Sequence, residues 1–295
     1  MRRYLIGTIA ATALVLTGCA QHDTTSTGPD PVTIDAASAA QQEPTALIGS
    51  WTAAGTDVGS GTVVQFTDHS LRVFDGCGVR HGSWGADQSG LLLADMHTVP
   101  TGDGEGCTAA PDAGLGWLLR ADGFRVDGDT RALLDDAGAE LARLRPAGRP
   151  DNEPDMDPSW LQPPTVTDET RRWLAAPPAL PAHLAGPKPE ELVGRWVPAG
   201  AAANSAGRGP KPASVEFVAD GTWTGSDGCN SYSPGRWATG GDGAFLATGG
   251  VSTAIGCDNV PTGRWLITAR QAGLDGDVLV LRDAQGAETG RMRRG

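Results

Sequence analysis

From Leu47 onward, apolar residues recur at every second position in short runs, broken by clusters of Asp, Gly, Asn and Ser. That alternation is the pattern of half-buried strands joined by tight turns. Val64 and Phe66, then Leu71 and Val73, alternate across Asp68-His69-Ser70 and predict a hairpin. Leu91-Leu92-Leu93 reads as a short apolar strand. Pro111–Arg120 reads as a short helix with proline near its first turn, although Gly114 and Gly116 weaken it. A last hairpin turns at Asp135-Asp136-Ala137-Gly138 and ends near Leu144. From Leu192 the same succession returns: Val215 and Phe217, a turn at Asp220-Gly221, Trp223, Trp237, then Phe245-Leu246. A helix is predicted over Pro261 to Ala272, with Trp265, Leu266 and Ala269 on one side. A closing hairpin follows around Asp283-Ala284-Gln285-Gly286.

The two successions are copies. Trp51/Trp196, Phe66/Phe217, Cys77/Cys229, Trp84/Trp237, Cys107/Cys257 and Trp117/Trp265 recur in one order, at offsets of 145 to 153. Self-similarity at that spacing means duplicated domains, here 46–145 and 191–295, rather than a short-period solenoid. Residues 146–190, rich in proline and acidic residues, read as a partly stiffened linker. Within it, Thr167-Asp168-Glu169 opens a one- or two-turn helix. Trp160 and Trp173 either dock on a domain or are lightly pinned in a mobile strap.

The N-terminus carries the parts of an export signal. Met1-Arg2-Arg3 is basic, Leu5–Leu16 is an apolar run of twelve residues, and Leu16-Thr17-Gly18-Cys19 resembles a bacterial lipobox. The run is too short to span a bilayer, which takes about twenty residues. The expectation is a signal peptide over 1–18, cleavage before Cys19, acyl chains such as palmitate on Cys19, and a flexible polar tether over 19–45. Two or three acyl chains suffice for stable anchoring, whereas one is marginal. The expected location is the extracytoplasmic face of a bacterial cell membrane.

Net charge then narrows the partners. The chain carries −12, or −14 without the two leader arginines. A surface that acidic repels phosphate backbones and anionic headgroups, so nucleic acid is not expected as a partner.

Each domain has an Asp-Gly-Cys turn. The residue after the cysteine is Gly78 in one and Asn230 in the other, the two types that most readily take positive φ. The reading is a tight left-handed turn capped by the Asp75 or Asp227 side chain. Two cysteines per domain in an exported chain predict disulfides Cys77–Cys107 and Cys229–Cys257. A zinc site from Cys77, His81, His97 and Cys107 is the rival use, but the second domain has no histidine after Leu184. The same absence prevents a Ser–His–Asp set there. The shared carboxylates Asp127/Asp275, Asp129/Asp277, Asp135/Asp283 and Glu140/Glu288 read as solvated turn residues before acid–base pairs. Trp223, which has Leu71 at the equivalent place, is read as a surface aromatic. No cofactor and no metal are expected.

With these landmarks laid out, the second domain resembles the META/HslJ-like family of bacterial envelope domains. The matching pieces are Leu192-x-Gly194-x-Trp196, Phe217 before Asp220-Gly221, Gly228-Cys229-Asn230-x-Tyr232, and Thr253-Ala254-Ile255-Gly256-Cys257. The first domain looks like a degenerate copy, with Gly78 in place of the Asn and Arg80 in place of the Tyr. The resemblance implies two tandem, compact, antiparallel β-barrel-like domains, each with one short helix. It associates the chain with envelope stress and implies no agreed chemistry. Three functions are therefore expected in order: a non-enzymatic envelope lipoprotein binding an envelope protein or small ligand, an inhibitor or protective protein against a hydrolase or toxic compound, and an enzyme acting on envelope polymers.

Overall fold

In the computed structural model, which describes residues 42–102, 107–108, 110–150, 158–200, 202, 211–257 and 259–295, each repeat is one eight-stranded antiparallel sheet curled nearly into a barrel. The first holds β1 (Gly49–Ala54), β2 (Val63–Phe66), β3 (Leu71–Asp75), β4 (Gly78–Ala86), β5 (Leu92–Met96), β6 (Gly123–Asp127), β7 (Thr130–Leu134) and β8 (Glu140–Pro146). The second holds β9 (Gly194–Pro198), β10 (Ser214–Phe217), β11 (Thr222–Ser226), β12 (Ser231–Thr239), β13 (Phe245–Ala247), β14 (Gln271–Asp275), β15 (Val278–Arg282) and β16 (Glu288–Arg294). The described residues also form four short α-helices, α1 (Gly116–Leu119), α2 (Asp168–Trp173), α3 (Pro189–Leu192) and α4 (Thr262–Thr268), and 3-10 turns at Pro44–Leu47, Pro158–Leu161 and Gly241–Gly243.

Both sheets follow one path, β5-β4-β3-β2-β1-β8-β7-β6 and β13-β12-β11-β10-β9-β16-β15-β14. The first strand of each lies mid-sheet and pairs with the last as well as the second. The free edges then meet through a narrow seam. In the first barrel Leu92 N donates to Asp122 O at 3.0 Å and Phe124 N to Gly90 O at 2.8 Å; in the second Phe245 N donates to Arg270 O at 3.0 Å. Closing the seam covers edge strands that would otherwise offer unpaired backbone groups.

The alternation read from the sequence faces these interiors. Phe66 meets Trp84 edge-on at 5.0 Å and Phe217 meets Trp237 at 5.1 Å. Trp51 and Trp196 each donate their indole N–H to a carbonyl four residues back, Leu47 and Leu192, at 2.6 Å. The shared tryptophans, with Leu47, Val64, Leu71 and Leu144 on one side and Leu192, Val215, Leu279 and Met292 on the other, fill both barrels.

Three expectations change, the first being the helix expected over Pro111–Arg120, which is confined to α1 (Gly116–Leu119) behind a turn in which Gly114 takes φ 70°. Trp223 is a core residue, 1% exposed, with its indole N–H on Thr248 O at 3.0 Å. It sits directly opposite Phe217 in the β10–β11 ladder, and paired residues share a face. The helix expected over Pro261 to Ala272 is shorter, because Gln271 and Ala272 pair with Arg282 and Leu281 in β14–β15. Sheet closure there outweighs helix propensity.

The linker is a strap laid along both barrels. Thr167 caps α2 by accepting Thr170 N at 3.1 Å. Trp173 receives the edge of His69 from the first barrel at 4.5 Å and stacks on Arg270 of the second at 4.0 Å. Trp160 packs on His81 at 4.7 Å. Between the barrels, Arg236 Nη1 donates to Ala94 O at 2.9 Å and Leu119 O at 2.6 Å, and Thr248 Oγ1 donates to Asp95 Oδ2 at 3.2 Å. Both barrels and the strap fall in one compact unit, Ala39–Gly295. The leader and Cys19 lie outside the described residues.

Candidate functional site

The Asp-Gly-Cys turn of the second barrel is a closed hydrogen-bonded knot. Asp227 Oδ1 accepts the backbone N–H of Cys229 at 2.7 Å and of Asn230 at 2.6 Å. Its Oδ2 accepts Asn230 Nδ2 at 3.0 Å and Asn259 Nδ2 at 2.8 Å. Asn230 then reaches the loop after β13. Its Nδ2 donates to Ile255 O at 3.0 Å, and its Oδ1 accepts Thr253 Oγ1 at 2.8 Å and Ile255 N at 2.7 Å. Two donors and two acceptors are all that a side-chain amide offers, and all four are engaged. Burial by itself would push the Asp227 carboxyl up, but the four donated hydrogen bonds together outweigh it and hold the carboxyl below its ordinary range.

The first barrel solves the same problem differently. Asp75 Oδ1 caps Cys77 N at 2.9 Å, while Oδ2 pairs with the guanidinium of Arg80, which also reaches Ala113 O ahead of α1. Arg80 stands where the second barrel has Tyr232, whose ring packs instead under Gly263 of α4. One expectation is corrected here. Gly78 has φ 93°, as its neighbourhood requires, but Asn230 is not left-handed; in the second barrel that role falls to Gly228 at φ 104°. Moving the left-handed residue to the centre of Asp-Gly-Cys leaves Asn230 free to turn its amide onto residues 253–255.

The sulfurs of Cys77 and Cys107, and those of Cys229 and Cys257, stand at disulfide distance, with Cα separations of 5.5 Å and 6.2 Å. The four zinc candidates are not drawn together. His97 Nε2 contacts Ser83 Oγ at 2.9 Å and His81 lies against Trp160. Among the described residues no group of His, Cys, Asp and Glu is placed to hold a metal ion. Asp127, Asp129, Asp275 and Asp277 are all exposed on hairpin turns. Asp127 pairs with Arg143 at 3.1 Å and Asp275 with Arg291 at 3.7 Å, equivalent contacts in the two barrels.

A concavity lies where the β4–β5 turn, the β12–β13 turn and the strap converge. This cleft of about 1290 Å³ is bordered by Asp87–Ser89, by Pro177–Leu180 and Gly186–Pro189, by Thr239–Ala244, and at its base by Arg270 and Gln271. Three features mark it. Asp242, on the β12–β13 turn, is the one non-glycine with positive φ among the described residues, at 55°; such backbone strain concentrates at functional sites. Arg270 is 5% exposed and stacked on Trp173, and burial pushes its pKa down to about 10. Gln271 Nε2 donates to Pro178 O at 2.9 Å, while its Oε1 and the Arg270 Nε are buried without partners among the described residues.

None of these residues stands out in the sequence reading. The available signal is a polar pair, Arg270-Gln271, set inside an apolar run, and assigning that run to a helix conceals it. Trp173 was noticed, but its two partners lie 104 residues before it and 97 after it. A cleft assembled from four distant segments has no local spelling.

Comparison with known proteins adds one family. Residues 190–295 match the model of the META domain. No curated protein matches the chain in sequence. Among solved structures, a DUF4847 family protein from Bacteroides vulgatus is similar at 16% identity and a TM-score of 0.24, over 31% of this chain. The chain spans 62% of that protein's length.

Proposed function

We propose that this chain, with its META domain at residues 190–295 and a barrel of the same strand order before it, is a lipid-anchored envelope protein that binds a ligand without transforming it. The observation that carries the reading is the placing of open space. Both barrel interiors are filled by aromatic and aliphatic side chains, whereas the cleft between barrels and strap is roomy and floored by buried polar groups. Concave sites with a few convergent polar groups are the usual form of a ligand site. Exposure of the four hairpin aspartates, two of them paired with Arg143 and Arg291, favours binding over acid–base chemistry at those turns. Anchoring rests on Leu16-Thr17-Gly18-Cys19.

Gly241 provides the test, because a Cβ built there meets nothing within 4 Å and the residue lines the cleft. Gly241→Trp projects an indole from a position where the added Cβ meets no neighbour, and is expected to obstruct the cleft. The full chain and this variant are to be compared by photo-crosslinking in intact envelopes, followed by mass spectrometry of bound small molecules and proteins. Species captured by the native chain and lost in the variant support the reading; identical profiles end it. Cys19→Ser, fractionated in parallel, is expected to leave the membrane pellet.

The inhibitor reading draws on a different place. The loop clamped by Asn230 and Cys257 displays Val251 and Ile255 at 55% and 58% exposure. A rigid loop with apolar tips suits docking into a partner's groove. Ile255→Glu is expected to abolish any protein capture that survives Gly241→Trp, and unchanged capture removes this reading.

A further inference from the structure

We infer that the cleft recognises a small carboxylate-bearing molecule with an adjacent N–H donor, such as an amino acid or the end of a short peptide, and seats its carboxylate on Arg270. The inference rests on the cleft being the ligand site. It begins from a comparison inside the molecule. Among the described residues two arginines are almost wholly buried, Arg80 at 2% and Arg270 at 5% exposure. Arg80 has its counter-ion, Asp75. Arg270 has no ion-pair partner among the described residues. Its Nη1 donates to Ile267 O at 3.2 Å and Ala269 O at 2.6 Å, which satisfies the last carbonyls around α4, and its Nε meets no acceptor.

Asp283 and Asp87 act on this cation through space but form no ion pair with it, and each uses one carboxylate oxygen in its own turn. Asp87 Oδ1 accepts Ser89 N at 2.9 Å, Ser89 Oγ at 2.6 Å and Leu91 N at 3.1 Å. Asp283 Oδ1 accepts Gln285 N at 2.9 Å and Ala287 N at 2.8 Å. A buried guanidinium without a carboxylate is costly unless something completes it. Trp173 covers one face of the cation at 4.0 Å and holds the planar fork in position.

The remaining cleft groups define the rest of the ligand. Gln271 Oε1 is a buried acceptor without a partner among the described residues, and Gln271, Asp87 and Asp242 all line the cleft. These oxygens reject a polyanion and favour a donor next to the carboxylate. Lys188 is exposed and also borders the cleft.

The test uses the exported chain from Cys19 onward, uniformly labelled with nitrogen-15, and follows the Arg270 Nε–H resonance and the backbone amides of Gly240–Ala244. The probes are N-acetylalanine, its neutral N-methylamide, and inorganic phosphate. The expected result is a saturable shift with N-acetylalanine and binding at least tenfold weaker for the methylamide, a difference of about 1.4 kcal/mol. Arg270→Lys keeps the charge but loses the fork and is expected to weaken N-acetylalanine at least tenfold. Because that variant also disturbs the α4 terminus, Gly241→Trp serves as an independent block and is expected to abolish the shift. Equal binding of acid and methylamide overturns the carboxylate assignment and leaves the cleft standing. Phosphate binding as tightly as the acid overturns the paired N–H requirement. No saturable shift up to about 50 mM of any probe, about fiftyfold above a millimolar dissociation constant, overturns the inference together with the cleft reading.

Discussion

Replacing Asn230 by Ala removes the hub that ties the Asp-Gly-Cys turn to the loop carrying Ile255. Four hydrogen bonds disappear, but they are not equivalent. Ile255 is 58% exposed, so water takes over its N–H and C=O at little cost. The same holds for the exposed Thr253 hydroxyl. The bond to Asp227 Oδ2 is different, because that carboxylate is buried and charged, and hydrogen bonds to charged groups are worth about 1.5–3 kcal/mol. Adding fractions of a kcal/mol for the loop contacts gives an expected loss of about 2–4 kcal/mol. Asn230→Asp is expected to be worse, since it sets a second carboxylate against Asp227 and removes the amide donors. The chain has two barrels, so a single urea transition is not a safe readout. Hydrogen exchange of residues 227–257, read beside residues 75–102 as an internal reference, isolates the second barrel. A loss below about 0.5 kcal/mol, the scale of a neutral surface change, would falsify the knot as a stabilising element. The converse swap makes the same point. Gly78→Asn is expected to destabilise the first barrel, because a Cβ there collides with Thr101 and the backbone at φ 93°.

Three further outcomes follow from the same geometry. Trp223→Ala is expected to cost about 3–5 kcal/mol, as for a large core aromatic, measured by hydrogen exchange of the second barrel against the first; a near-zero effect would restore a surface position. A non-reducing digest is expected to yield Cys77–Cys107 and Cys229–Cys257 peptides, and the Cys229→Ser/Cys257→Ser pair to cost roughly 3–4 kcal/mol; a Cys77–Cys229 peptide would reverse the pairing. Burial lowers the pKa of His81 and of His97, with Arg72 adding to the effect on His81 and Asp95 opposing it on His97. The unfolded chain therefore takes these protons first. Their stabilisation is complete above about 6.5 and is lost as pH falls toward the depressed folded values. Asp95, whose carboxyl burial pushes up, works the other way and adds stability as pH falls toward the ordinary aspartate range. Melting temperature between about pH 7 and 5 should fall less in His97→Gln than in the native chain, and parallel curves would remove His97 from the account.

Much of the architecture was written locally. Strand alternation, the Asp-Gly and Asp-Ala-Gly turns and the repeated tryptophans report on residues a few positions apart, where periodicity and turn chemistry act. Those features are enough to specify two similar β domains and to pair cysteines within each. Even the burial of Trp223 was legible, since its counterpart Leu71 is a core residue in the first barrel. What the chain alone did not reveal depends on contacts across long separations. The end of α4 is decided by the pairing of β14 with β15, the conformation of Asn230 by a loop about 25 residues away, and the place of Trp173 by both barrels at once. The cleft belongs wholly to that second class. Its buried Arg270 is left without a contacting carboxylate only by folding, which also removes water from around it, and no stretch of sequence carries that information by itself.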